Sequence, residues 1–205
     1  MVSSIEARST GRAARAARAA TVDLSKYSPS LSNGSASLPA PTGMTLKALT
    51  LGRGTQNYTC SPGSTAAPVA IGAVAELIDI TALLPLLPAN EVTKILNELP
   101  GYLINYSFEQ LENSSIPACG RHYFTKAGVP TFDLGKKGKL SGKKAAAIAA
   151  PGGKAVDWLQ LTAVDPSTLR AAYRVQTVKG KPPKSCKGQP AAIEVQYAAQ
   201  YWFYA

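Results

Sequence analysis

The sequence contains one histidine, His122, and three cysteines, Cys60, Cys119 and Cys186, none in a C-x-x-C spacing. That donor set argues against a structural zinc site, and no metal is expected. No run of eighteen apolar residues occurs, so no segment reads as a membrane-spanning helix. The first twenty residues lack the apolar core of a secretory signal. There is no G-x-S-x-G elbow, which removes the common serine-hydrolase arrangement. Charged residues make up only 17% of the chain, too few for a disordered polyelectrolyte.

What is present fits one folded domain with a tail. The chain has 205 residues, 45% of them apolar, enough for a sizeable core. The net charge of +10 is unevenly placed. Arg8, Arg12, Arg15 and Arg18 lie in the N-terminal tail. Lys136, Lys137, Lys139, Lys143 and Lys144 crowd one Gly-containing stretch, and Lys179, Lys181, Lys184 and Lys187 another. Such clusters attract polyanions, but without interleaved aromatics they read as solubilising loops rather than a nucleic-acid surface. Four of the six asparagines, Asn33, Asn57, Asn105 and Asn113, stand in Asn-x-Ser/Thr sequons, a density that fits passage through a secretory pathway. Residues 1–20, rich in Arg, Ala and Ser with Glu6 as the one acid, have the composition of an organelle transit peptide or of a pro-segment remnant. Both readings stay open.

The expected architecture is mainly β, an antiparallel sandwich or barrel-like domain with one short helix. Residues 1–37 read as a disordered tail of linker composition and 38–205 as a single β domain. The clearest strand runs from Ile193 to Tyr204. Ile193, Val195, Tyr197, Ala199, Tyr201 and Phe203 alternate with a more polar set containing Glu194, Gln196 and Gln200. Strands are also expected over 43–51, 56–60, 68–80 (with Gly72 at a bulge), 122–125, 131–134, 156–162 and 172–178. Gly52-Arg53-Gly54 and Asp165-Pro166 read as turns, and 136–144 as a flexible basic loop. Asn90 reads as the N-cap of a helix carrying Val92, Ile95, Leu96 and Leu99 on one stripe and stopped by Pro100-Gly101.

Four segments carry a family resemblance: L-P-A-P-T-G…L-G-R-G-T-Q-N-Y-T-C (38–60), A-P-V-A-I-G-A-V-A (67–75), H-Y-F-T…G-V-P-T-F-D-L (122–134), and V-D-W-L-Q-L through V-Q-Y-A-A-Q-Y-W-F-Y (156–204). Together they resemble a fungal secreted family of unknown function whose members often carry the label malate dehydrogenase. The resemblance implies a compact, mostly β, secreted domain. It also places Cys60 and Cys186 at positions where members commonly have cysteine, and these two are the expected disulfide, with pairings to Cys119 open. Members often have a further cysteine where this chain reads Ile-Asp-Ile-Thr-Ala-Leu-Leu (78–84), so their disulfide scheme does not carry over whole. The dehydrogenase label fails on chemistry. A nicotinamide enzyme needs a strand, a G-x-G-x-x-G turn and a helix opening on the pyrophosphate. Gly52-x-Gly54 is followed by Thr55, Gln56 and Asn57, with no third glycine and no helical pattern. No cofactor is expected.

Candidate site residues fall into two sets. Asp133, Asp157 and Glu194, with His122 as acid or base, are the groups that a carbohydrate-active hydrolase or lyase could use. Trp158, Tyr173, Trp202 and Tyr204 could stack on sugar rings if one face of them is exposed; otherwise they are core. The resulting expectation is an extracellular or wall-associated, non-enzymatic module that binds polysaccharide or a cell-surface protein. The alternatives are the carboxylate hydrolase or lyase, a secreted effector-like protein, and organelle targeting. Nothing in the sequence reports on oligomeric state.

Overall fold

A computed structural model describes residues 23–114, 118–164 and 168–205. Eight strands form one closed antiparallel barrel in which every strand pairs with its sequence neighbours and β8 returns to β1. They are β1 (Leu46–Thr59), β2 (Val69–Asp79), β3 (Gly120–Phe124), β4 (Pro130–Asp133), β5 (Lys139–Ile148), β6 (Trp158–Ala163), β7 (Ala171–Lys179) and β8 (Ala192–Tyr204). The mainly antiparallel β expectation holds, and the sheet is a barrel rather than a two-sheet sandwich. Closure removes both free sheet edges. Helix α1 (Val92–Leu103) and the five-residue α2 (Phe108–Glu112) lie between β2 and β3. No helix of the described residues is long and apolar enough to cross a membrane.

Two apolar clusters sit on the two faces of the barrel wall. Inside are Ala48, Leu77, Phe132, Leu140, Tyr197, Ala199, Tyr201 and Phe203. Outside, Leu49, Leu51, Trp158, Tyr173, Trp202 and Tyr204 pack with Leu96 and Leu103 of α1. From Tyr197 to Tyr204, β8 is buried at every position. Its alternation therefore separates lumen from outer wall, not core from solvent.

Several local expectations are corrected. Gly52-Arg53-Gly54 is not a turn but the middle of β1. A Cβ on Gly52 would come within 2.5 Å of the Tyr201 ring, and one on Gly54 would run into the Val74 carbonyl oxygen. The glycines thus permit close strand and side-chain approach. The basic stretch 136–144 is not a flexible loop: Gly135–Lys137 form a single 3-10 turn and β5 begins at Lys139. Lysine, glycine and alanine have little β preference of their own, so pairing with β4 and β6 supplies the order. Helix α1 has Glu91 rather than Asn90 at its N-cap position, with no side-chain capping bond, and continues past Pro100 to Leu103. Gly72 does mark a bulge, with Asn57 opposite Gly72 and Tyr58 opposite Ala70.

Packing also starts before Leu38. Leu24, Tyr27 and Leu31 lie against the outer cluster, and Ser32 bridges to Ser37. Residues 23–37 are therefore ordered, and the disordered tail expected over 1–37 does not extend through them. The tail arginines and the Asp165-Pro166 turn lie outside the described residues. Cys60 and Cys186 form a disulfide with 5.5 Å between Cα atoms, tying the end of β1 to the loop before β8.

Candidate lumen site

Inward-facing side chains fill part of the barrel interior and line a cavity in it. A cavity of about 540 Å³ is lined by Gln56, Ala73, His122, Phe124, Phe132, Leu159, Leu161, Arg174 and Tyr201, with Lys143 and Lys144 among its outer members. Both lysines are exposed, so the cavity reaches the surface beside β5. Its size is that of a small-molecule pocket. A larger groove, about 1180 Å³, lies on the outer wall between α1, α2 and the turn after β2, and is lined mainly by apolar groups such as Leu83, Leu99 and Leu103.

Strand alternation places the polar members. Arg174 follows the outward Tyr173 on β7 and therefore faces in, where its guanidinium lies 6.0 Å from the centre of the Tyr197 ring. Nε and Nη2 both donate to the backbone carbonyl of Asp157, at 3.3 and 2.9 Å. Arg174 is 8% exposed, and the ion pairs of the described residues, Arg121–Glu76, Lys137–Asp79 and Lys139–Asp133, do not include it. On β1, Gln56 is 9% exposed. Buried polar atoms without a partner among the described residues are Thr50 Oγ1, Gln56 Nε2, Trp158 Nε1 and Tyr204 Oη, and of these residues only Gln56 lines the cavity.

His122 stacks on Phe132 with ring centres 4.1 Å apart. Its Nδ1 is 2.9 Å from the Thr131 carbonyl oxygen. A carbonyl only accepts, so Nδ1 carries the proton and Nε2 is left as an acceptor. Burial lowers the His122 pKa to about 4, the Thr131 bond opposing and the Arg174 charge adding to the fall. The imidazole is neutral at pH 7. The Tyr197 and Tyr201 hydroxyls share a 2.7 Å hydrogen bond. Burial raises both of their pKa values, so neither supplies an anion at neutral pH.

A family profile described as "Protein of unknown function (DUF3455)" matches residues 41–205. The chain belongs to the DUF3455 family. Searches among curated proteins and among solved structures found no match. The family therefore brings no assigned chemistry to this DUF3455 barrel, and its site has to be read from the residues.

The aromatic platform is a correction. Trp158, Tyr173, Trp202 and Tyr204 are all buried, on the outer wall beneath α1 and the N-terminal segment. Tyr173 donates to the Pro39 carbonyl at 2.9 Å and accepts from Gln160 Nε2 at 2.8 Å. None of the four offers a face to a sugar ring. The carboxylates are not gathered either. Asp133 ends β4 at the pole where β1 starts, accepts from the Gly135 N–H and lies 3.9 Å from Lys139. Asp157 and Glu194 are exposed at the opposite pole, near the starts of β6 and β8. Only His122 of the proposed acid–base set faces the cavity. Among the sequons, Asn105 and Asn113 are exposed and Asn57 is half-buried in β1. Asn33 donates through Nδ2 to the Ala149 carbonyl at 2.9 Å.

Sequence reasoning missed Arg174 and Gln56 as site residues. Each lies in a strand whose two faces are both largely buried, so alternation gives no polar side to notice. The one available signal was a charged residue inside the apolar run Ala171–Val175.

Proposed function

We propose that this protein is an extracellular binding protein that holds a small, mostly apolar molecule in the lumen of its barrel. The carrying observation is the cavity of about 540 Å³ inside a closed eight-stranded barrel. Barrels of this size either fill their interior with side chains or leave room for one small ligand. The disulfide supports an oxidising compartment. Burial of the aromatic set favours the interior over a polysaccharide or surface-protein site on those rings. Scattered carboxylates and a histidine engaged through Nδ1 favour binding over hydrolysis.

N-phenyl-1-naphthylamine, a neutral dye that brightens in apolar surroundings, tests this. One-to-one binding is expected, weakened at least ten-fold by Leu159→Trp or Ala73→Leu, which fill the lumen, and unchanged by Leu83→Trp on the outer groove. Thermal melts of each variant establish that it is folded. Binding abolished by the groove substitution and indifferent to both lumen substitutions would place the ligand elsewhere and end the proposal.

A further inference from the structure

The lumen is built asymmetrically in charge, and that asymmetry specifies a ligand class. This inference rests on the lumen reading above. Arg174 is a buried guanidinium whose hydrogen-bond partners are neutral, the Asp157 carbonyl and the Tyr201 hydroxyl. No lining residue of the cavity is acidic, while Lys143 and Lys144 stand exposed at its outer part. Asp157 meets Arg174 through its backbone, and its side chain is exposed. A buried cation without a counter-charge is costly, and cationic groups lining a low-dielectric cleft concentrate anions there.

Arg53 shows what a purely structural buried arginine looks like in the same barrel. It is 1% exposed, yet Nε donates to the Tyr106 carbonyl, Nη1 to the Gly54 carbonyl and Nη2 to Gln196 Oε1. The Phe108 ring covers it at 4.9 Å. Every nitrogen is used and the site is closed. Arg174 has no acidic partner among the ion pairs of the described residues, and a donor without a partner, Gln56 Nε2, lines the same chamber. A guanidinium and an amide N–H facing one space are the donors that a carboxylate or sulfonate takes up. The walls beyond them, Phe132, Leu159 and Leu161, are apolar.

We infer that the lumen takes an organic monoanion, with its charged group against Arg174 and Gln56 and its apolar body against Phe132, Leu159 and Leu161. The probe is 8-anilinonaphthalene-1-sulfonate, compared with neutral N-phenyl-1-naphthylamine, which shares its ring system. The folded protein is expected to bind the sulfonate at least ten-fold more tightly. Arg174→Met should abolish that preference while leaving the neutral dye bound, and Arg174→Lys should restore part of it. Decanoate should displace the sulfonate at concentrations where decanol does not. If Arg174→Met does not fold, Gln56→Leu serves in its place, with a preference reduced at least three-fold. Equal affinity for the two dyes, or a preference untouched by the Arg174 and Gln56 substitutions, overturns the anion inference and leaves the lumen reading standing. Failure of both dyes to bind removes both.

Discussion

Gln200 Nε2 donates to the backbone carbonyl of Leu96 at 2.5 Å, at the point where Pro100 deprives α1 of a hydrogen bond. In an α-helix the Leu96 carbonyl accepts from the N–H four residues on, and Pro100 has none. A side chain from β8 supplies the missing donor, and its Oε1 accepts from Trp202 Nε1 at 2.8 Å. Gln200→Leu leaves both the carbonyl and the indole N–H buried without partners. The expected cost is about 2–4 kcal/mol, measured by urea unfolding. In a Pro100→Ala background the helix regains its own donor, so the same substitution should cost at least about 1 kcal/mol less. Equal costs in the two backgrounds would show that the bridge does not compensate for the proline.

The Cys60–Cys186 disulfide spans a sequence separation of 126 residues. Its loss by Cys60→Ser with Cys186→Ser should lower stability by about 2–5 kcal/mol in the chain-entropy account. Cys119 is free, and burial is the main reason its thiol pKa is pushed up to about 11. Thiol labelling of the native protein at pH 8 should therefore be slow, with unfolding exposing one reactive group per chain. Rapid native labelling would contradict the partial burial of Cys119.

Gly54 faces the backbone of β2 with no room for a methyl group. Gly54→Ala should destabilise by about 3 kcal/mol or more, visible as a collapsed melting temperature or loss of soluble protein. By contrast Gly63→Ala meets open space, and its cost should come only from a backbone angle of φ +71°.

Acid should weaken the fold through His122. Its pKa is about 4 in the barrel against 6.5 for a free imidazole, so between those values the unfolded chain binds the extra proton. This contribution to stability is complete above pH 6.5, declines as pH falls toward 4, and levels off below. The total is on the order of 3 kcal/mol. Unfolding free energies across pH 4–7 should show that slope in the parent protein and a flatter one in His122→Asn.

Passage through a eukaryotic secretory pathway should place glycans on the exposed Asn105 and Asn113 and leave Asn33 bare, because its amide nitrogen is held by the Ala149 carbonyl. Peptide mass spectrometry reads each position separately. An occupied Asn33 would mean that its turn opens before modification.

Much of the scaffold was legible because its signals are local. The alternation of Ile193–Tyr204, the stripe Val92–Ile95–Leu96–Leu99 and the bulge at Gly72 each report on neighbours within a few residues. What was not legible depends on partners far along the chain. β5 owes its order to β4 and β6, and Gly52 and Gly54 are there because of Tyr201 and Val74. The aromatic set gave the largest error. Trp202 and Tyr204 share a strand face with Glu194 and Gln196, and that polar start implied a wet surface. The helix that dries the far end of the face comes about a hundred residues earlier.

The pairing of β1 with β8 sets the order in which this protein can be made. Leu46 meets Tyr204 across the seam, so the sheet stays an open ribbon until the eighth strand has been synthesised. Contacts so distant along the chain form slowly. A nascent chain stalled before Ala192 carries two bare edges, on β1 and β7, a state that invites chaperone capture or self-association.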